Sequence, residues 1–456
     1  MTSGIAPGGL PRRGPTVRAV SSMKGNRAKN SLFVFLSLLP LSGPLTNQAL
    51  PGGEQREIRA VWITRWDYRT EADVRRAVLG CAWLGLNRVI FQVRGQADAC
   101  YRSPIEPWCE ELKGDASKEG DPGFDPLQAA IDEARRRGIE VHAWANLLPA
   151  WKGTTPPQSR KHLIHVHPGW FMTDEAGRRQ LLDAGDYTLL NPCLPEVREY
   201  LKTVMADIAR RYDLDGIQLD YARFLDRDVG RGEDVPFDPA TLRLFKARTG
   251  GSPAANPREW DRFRAEAMDR LVAEVSATVR QARPSCQISL AAVRDVVRAR
   301  THLFQDAAGW ARKRWIDEIH PMNYSPNSER FGRSSRKWVE GCAGVPVVVG
   351  IGVHLFDEPS VVLDQLRLLR SPAGSLQPAG YALFAYSDFF PSRSPYARSG
   401  AAAKVRRAQL RELLRGANGA VTGAAAGVDP QRETGSLTQE AREGSDKPHS
   451  RATLDR

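Results

Sequence analysis

The sequence predicts an α/β fold: a single (β/α)8 TIM barrel with long βα loops, flanked by an N-terminal signal segment and a disordered C-terminal tail. Three observations carry that expectation. Eight short runs rich in apolar and β-branched residues recur across residues 57–415. A helical pattern, strong or weak, follows each of them. The runs are apolar nearly throughout, which suits parallel strands buried on both faces rather than half-solvated ones.

The first strand is expected at 58–64, with a helix over 71–84 whose apolar positions fall at helical spacing. Strand 2, at 88–93, leads to a helix over 125–137 that opens on Asp125-Pro126, a helix-start pair. Strand 3 at 139–145 and strand 4 at 216–220 are separated by a helix over 195–212. A helix over 258–282 precedes strand 5 at 287–293, and one over 304–313 precedes strand 6 at 316–322. The connector 330–340 is only weakly helical; strand 7 follows at 345–351, a helix at 359–369, strand 8 at 381–385 and a last helix at 401–414. Two connectors are long, 146–191 after strand 3 and 221–239 after strand 4. Loops of this kind build the C-terminal face, where barrel enzymes place their chemistry.

At 456 residues with 41% hydrophobic and 26% charged residues, the chain is in the globular range, which excludes collagen-like or wholly disordered chains. The formal charge of +12 is not a nucleic-acid signature, because half of it sits in residues 1–50, with six Lys/Arg and no acid. The stretch 415–456 balances six basic against six acidic residues and is rich in Gly, Ala, Ser and Thr, so residues 416–456 read as a disordered tail. The remaining basic excess forms no concentrated patch, and no nucleic-acid partner is expected.

A basic stretch ending in Lys29 precedes an apolar run from Leu32 to Leu45 and then small and polar residues to Ala49, the order of a secretory signal. The run is shorter than the ~20 residues of a spanning helix, so the chain is expected to be exported, with no stable membrane span once the signal is removed. An uncleaved N-terminal anchor is the competing reading. Six cysteines are too few for a disulfide scaffold; Cys100 and Cys109 are close enough to clip a loop, and Cys81 reads as a buried small hydrophobe.

The strand ends then define a mouth. It holds Trp62, Thr64 and Arg65 from strand 1, Gln92 and Arg94 from strand 2, and Trp144 and Asn146 from strand 3. Asp220, Tyr221 and Arg223 follow strand 4, Arg294 and Asp295 strand 5, Asn323 and Tyr324 strand 6, His354 strand 7, and Tyr386 and Asp388 strand 8. Flat rings stack on the apolar faces of pyranoses, while amides and guanidiniums satisfy hydroxyls that would otherwise be buried unpaired. Trp62 and Trp144 could equally be barrel core. Asp220 is the sharpest candidate: at the exit of an apolar strand, desolvation would raise its pKa and keep a proton for a glycosidic oxygen. A salt bridge with Arg223 or Arg94 would act in the opposite direction. Asp215 lies at the other end of the strand and reads as structural, and Asp295 as a pairing or helix-capping residue. His162, His165 and His167 lack a carboxylate partner and make a poor metal site, so no metal and no cofactor are expected. Trp151 and Trp170 in the same connector could extend an aromatic platform.

The ordered segments Arg59-Ala-Val-Trp-Ile-Thr64, Phe91-Gln-Val-Arg-Gly-Gln-Ala-Asp98-Ala-Cys-Tyr101-Arg-Ser103, Gly138-Ile-Glu-Val-His-Ala-Trp-Ala-Asn146 and His167-Pro-Gly-Trp170 resemble the glycosyl hydrolase-like 10 family. Leu190-Asn191-Pro192, Asp215-Gly-Ile-Gln-Leu-Asp220-Tyr-Ala-Arg223 and Pro321-Met-Asn-Tyr324 extend the resemblance, which spans nearly all of 57–388. It implies an envelope barrel related to glycoside hydrolases, some of which cleave peptidoglycan glycan strands. Asp220 matches the family's acidic residue after strand 4, and Arg94, Asp98, Asn146, Arg223, Asn323 and Tyr324 fall on its mouth positions. Strand 4 is also similar to family-18 chitinases but departs from them at Gln218 and Ala222, where that pattern has acids. The expected function is an exported glycoside hydrolase of an amino-sugar polysaccharide, with Asp220 as acid and Asp98 or Asp388 as second carboxylate. If the substrate supplies its own nucleophile, Tyr324 would orient its acetamido group. A non-catalytic barrel that binds envelope polysaccharide is the alternative.

Overall fold

The structure is a computed structural model describing residues 56–417, apart from 113–119, 180–186, 225–234, 372–376, 398–399 and positions 343, 357 and 359. The expected signal (1–50), the tail beyond residue 417 and much of the connector after strand 4 lie outside the described residues. Eight strands form one parallel sheet: β1 (Ile58–Ile63), β2 (Arg88–Arg94), β3 (Glu140–Asn146), β4 (Gly216–Asp220), β5 (Gln287–Val293), β6 (Glu318–Met322), β7 (Val348–Gly352) and β8 (Gly380–Phe384). Neighbours in sequence pair in parallel from β1 to β6, and β1 also pairs with β8, which pairs with β7. A parallel bridge between Ile319 and Val347, with Ile319 N donating to Pro346 O at 3.0 Å, joins β6 to β7 and closes the ring.

One helix of the outer wall follows each strand: α1 (Glu71–Trp83), α2 (Pro126–Arg137), α3 (Pro195–Arg211), α4 (Pro257–Ala282), α5 (Ala307–Arg312), α6 (Ser328–Gly341), α7 (Ser360–Arg370) and α8 (Gly400–Ala417). Their starts follow from local chemistry. Thr70 and Asp73 form a reciprocal capping box on α1, and Asp125, Asp306 and Asn327 cap α2, α5 and α6. Proline occupies the first turn of α2, α3 and α4, where its missing N–H costs nothing. The weakly helical connector is in fact the 14-residue α6. Its buried seam is only Phe331, Ser335 and Trp338, a stripe too sparse to stand out in a polar segment.

Strand alternation sorts side chains between two environments. Val61, Ile63, Val89 and Phe91 point to the helices and join the continuous outer core. Ala60, Trp62, Ile90, Trp144, Val348 and Ala382 form a small apolar cluster inside the barrel. Beneath it lies a polar floor. Arg88 donates to Glu318 at 2.5 Å and to Glu140 at 2.7 Å, and His320 Nε2 lies 3.1 Å from Glu318. Burial alone would raise the Glu318 carboxyl, but the His320 hydrogen bond and the Arg88 charge hold it well below the usual range. Burial holds His142 and His320 below their ordinary values. Asp215, at the same end, accepts from Val141 N at 2.8 Å and is structural.

Cys100 and Cys109 form a disulfide, while Cys81, Cys193, Cys286 and Cys342 are free and buried. Among the described residues no helix is long and apolar enough to cross a membrane.

Replacing Arg88 by Met leaves Glu318 buried without its cation, so denaturant titration should show a loss of about 3–5 kcal/mol; a loss below about 1 kcal/mol would contradict the floor network. The disulfide spans a sequence separation of only nine residues. Its double Cys→Ala variant should lose about 2–3 kcal/mol on the chain-entropy scale. Adding reductant should bring the unmodified chain to the same midpoint.

Candidate active site

The last residue of β4, Asp220, faces the barrel axis because Ile217 and Leu219 face the helices. It is buried at the floor of the mouth. Oδ1 accepts from Tyr221 N at 2.6 Å and from Arg223 Nη1 at 3.2 Å, and Oδ2 accepts from Trp144 Nε1 at 3.2 Å. Burial raises its carboxyl pKa, and the Arg223 charge and these hydrogen bonds oppose the rise without cancelling it. The ion pair anticipated as the competing reading is therefore present, yet desolvation still prevails. Tyr221 adopts φ 51°, a left-handed conformation a side chain rarely takes, and the Arg223 guanidinium stacks 4.0 Å above its ring.

Across the mouth stands a wall of partly buried rings. Tyr324 and Phe384 stack at 5.4 Å, His354 meets both edge-on, and Tyr396 meets Phe384 at 5.0 Å and Trp66 at 6.1 Å. Room for it comes from the glycines of Val348-Val-Gly-Ile-Gly352. A Cβ on Gly352 would stand 2.7 Å from Tyr324, and one on Gly350 would stand 2.7 Å from Pro321 O and 3.3 Å from Trp62. Burial raises the Tyr324 phenol well above its usual value and the Asp220 charge adds to it, which places the two groups in one electrostatic neighbourhood. On the strand 4 side, Tyr187 packs edge-on against Tyr221 at 5.3 Å, with Lys152 Nζ 5.5 Å from its ring centre.

Of the residues expected at the mouth, Asp220, Tyr221, Arg223 and Tyr324 are brought together. Trp62 and Trp144 belong to the inner core and donate to Gln218 Oε1 (2.6 Å) and Asp220, so they form the layer beneath the mouth. Gln92 is buried and accepts from Arg65 N at 3.0 Å. Arg94 has no exposed surface, because Glu106 and the carbonyls of Asn146 and Leu147 take its guanidinium. Its expected contact with substrate gives way to a structural task. The same holds for Asn146, which donates to Gly95 O, and for Asn323, which donates to Phe331 O and Ser335 Oγ. Tyr386 points outward, stacked on Phe390 at 4.8 Å in the helix-facing core. Asp388 accepts from Ala385 N at 2.9 Å and pairs with Arg406 at 3.3 Å, fully buried, so it does not reach the mouth.

Asp98 is also buried. Its Oδ1 accepts from Gln96 N at 3.0 Å, and burial, reinforced by the Glu111 charge and opposed by Arg65, raises its pKa to about 7. Arg65 joins Glu111 at 2.6 Å and Tyr187 Oη at 3.3 Å. Asp295 caps a short helix through Val297 N and Arg298 N. The three histidines of the long connector are dispersed: His162 Nε2 lies 2.9 Å from Gln96 O, His165 Nε2 2.8 Å from Pro157 O, and His167 stacks on Trp170 at 3.8 Å. Trp151 is buried and donates to Thr155 O, so it is no platform. Trp66, Tyr187, Phe384 and Tyr396 were not singled out by sequence. Trp66 lies three residues past β1 and was within reach of the strand-end rule, whereas Tyr187 and Tyr396 sit deep in connectors where no spacing points to the mouth.

The chain is 28% identical over 301 residues to the glycosyl hydrolase DigH of Escherichia coli strain K12, covering 61% of this chain and 65% of that protein. It is 26% identical to the glycosyl hydrolase YngK of Bacillus subtilis strain 168, covering 59% and 54%. The match thus spans less than two thirds of either relative. Among solved structures, the glycoside hydrolase domain of PgaB (BpsB) from Bordetella bronchiseptica superposes with a TM-score of 0.54 at 15% identity, over 79% of this chain and 99% of that one. A GH42 β-galactosidase from G. stearothermophilus superposes with a TM-score of 0.52 at 14% identity, over 79% and 56%. These two likenesses speak for the fold, a glycosidase-type TIM barrel. The sequence model described as Glycosyl hydrolase-like 10 matches residues 57–364, from the start of β1 into α7, and the chain belongs to that family.

Proposed function

We propose that the protein is an exported glycoside hydrolase that cleaves an amino-sugar polysaccharide, such as peptidoglycan glycan strands, with Asp220 as the general acid. The observation that carries the reading is the buried Asp220 carboxyl, raised by desolvation and set among sugar-sized aromatic surfaces. Hydrolysis by two enzyme carboxylates needs the second at ~5–5.5 Å or ~6.5–9.5 Å from the first. Among the described residues, Asp388 is locked to Arg406 and Asp98 lies in the Arg65–Glu111 cluster. That favours a substrate that brings its own nucleophile. The acetamido oxygen of an amino sugar would attack the anomeric carbon as the glycosidic C–O bond breaks, and Asp220 would pass its proton to the departing oxygen. Water then opens the cyclic intermediate and returns a proton to Asp220. Tyr324, within the field of Asp220, would orient the acetamido group. Export is supported by the basic-then-apolar N-terminal segment and by the Cys100–Cys109 disulfide, a bond that persists in oxidising compartments.

Asp220→Asn should abolish release of reducing ends from purified peptidoglycan glycan strands, a loss of at least about 100-fold, with an unchanged circular dichroism spectrum. Full activity in that variant refutes the acid assignment. If the unaltered chain binds the strands but releases no product, it is a binding barrel instead. The acid form of Asp220 exists below its pKa, so activity should fall as pH rises through that value. Arg223→Met removes the opposing charge and should move this alkaline limb of kcat/KM upward by about one pH unit. A limb that stays in place would assign it to another group.

A further inference from the structure

Trp66 and Tyr396 are 330 positions apart in sequence, yet they meet edge to face at 6.1 Å on the rim of the mouth. A buried carboxylate brings them together. Asp67 Oδ2 accepts from Thr64 N at 2.6 Å and Thr64 Oγ1 at 2.8 Å, and its Oδ1 accepts from Ser392 Oγ at 2.5 Å. The chain of hydroxyls continues: Ser392 Oγ accepts from Ser394 N at 3.0 Å, and Ser394 Oγ accepts from Tyr396 N at 3.3 Å. Asp67 has no ion-pair partner among the described contacts, and burial raises its pKa to about 6 against those three donors. A carboxylate is expensive to bury in this way, so its use to join two rim loops marks their relative placement as a constraint. The Arg65 guanidinium, 4.1 Å from the Trp66 ring centre, fixes the indole further.

We propose that Trp66 and Tyr396 form a pyranose-stacking subsite of the glycan cleft, next to Asp220, and that Asp67 is the positioning residue that holds it. The inference rests on the reading of this mouth as a glycoside hydrolase site. Both rings are only partly buried, and both belong to an unbroken row that runs through Phe384 to Tyr324. Burial pushes the Tyr396 phenol up to about 12, with Tyr187 and then the Asp220 charge adding to the rise and Arg65 opposing it. An apolar ring face with a phenol at its edge matches the C–H face and peripheral hydroxyls of a hexopyranose. Phe384 and Tyr396 lie beyond the residues matched by the family, 57–364.

The test separates binding from cleavage by working in the Asp220→Asn background with a hexamer of N-acetylglucosamine, its affinity followed by calorimetry. Trp66→Ala and Tyr396→Ala should each weaken binding by roughly tenfold or more, and Trp66→Phe should recover most of the loss. Asp67→Asn should weaken binding when Trp66 and Tyr396 are present and have little further effect once both are Ala. That dependence distinguishes positioning from a general loss of fold. Unchanged affinity in both Ala variants, or no measurable binding of the hexamer at all, overturns the subsite. Its failure is distinct from failure of the acid assignment, which is read from cleavage by the Asp220→Asn chain.

Discussion

The mouth of this barrel depends on one buried ion pair, Arg94 with Glu106. Both side chains are sealed from solvent, and taking either charge alone out of water costs several kcal/mol. The cost is tolerable because every nitrogen of the guanidinium has a partner: Nε and Nη2 donate to Glu106, and Nη1 donates to the carbonyls of Asn146 and Leu147. Tyr200 on α3 then donates to the same Glu106 at 2.9 Å. The end of β2, the disulfide-clipped loop after it, the end of β3 and α3 are thereby one unit. The long connector that carries Lys152 and Tyr187 springs from that unit.

Within the barrel, polarity is graded along the axis. Charged groups form the floor, Trp62, Trp144 and Gln218 fill the middle, and the buried Asp220 with aromatic neighbours underlies the mouth. At the end away from the mouth, Arg88 and Glu318 neutralise one another. Asp220 lies at the boundary beside Arg223, deep enough for burial to raise its carboxyl pKa.

Much of the fold was legible because strands buried on both faces are apolar runs, and runs survive reading without knowledge of partners. The α6 helix was legible only weakly, since its buried seam is two aromatic residues and a serine in a polar segment. The site divides in the same way. Asp220, Tyr221, Arg223 and Tyr324 follow strand ends, and strand alternation gives such residues an address. An address does not name a partner, however. Arg94, Asn323 and Asp388 also stand at or near strand ends, but Glu106, Ser335 and Arg406 claim them, and those pairings are settled only by packing. Trp66, Tyr187 and Tyr396 come from connectors, whose return to the mouth depends on hydrogen bonds such as those of Asp67.

The pairing of β1 with β8 brings Ile58 beside Gly380. More than three hundred residues must therefore be synthesised before the first strand gains its second neighbour. Until then one side of β1 is an open edge, able to recruit strands from other chains. Contacts of such long range also slow folding. No portion of the chain that ends before β8 can complete the ring.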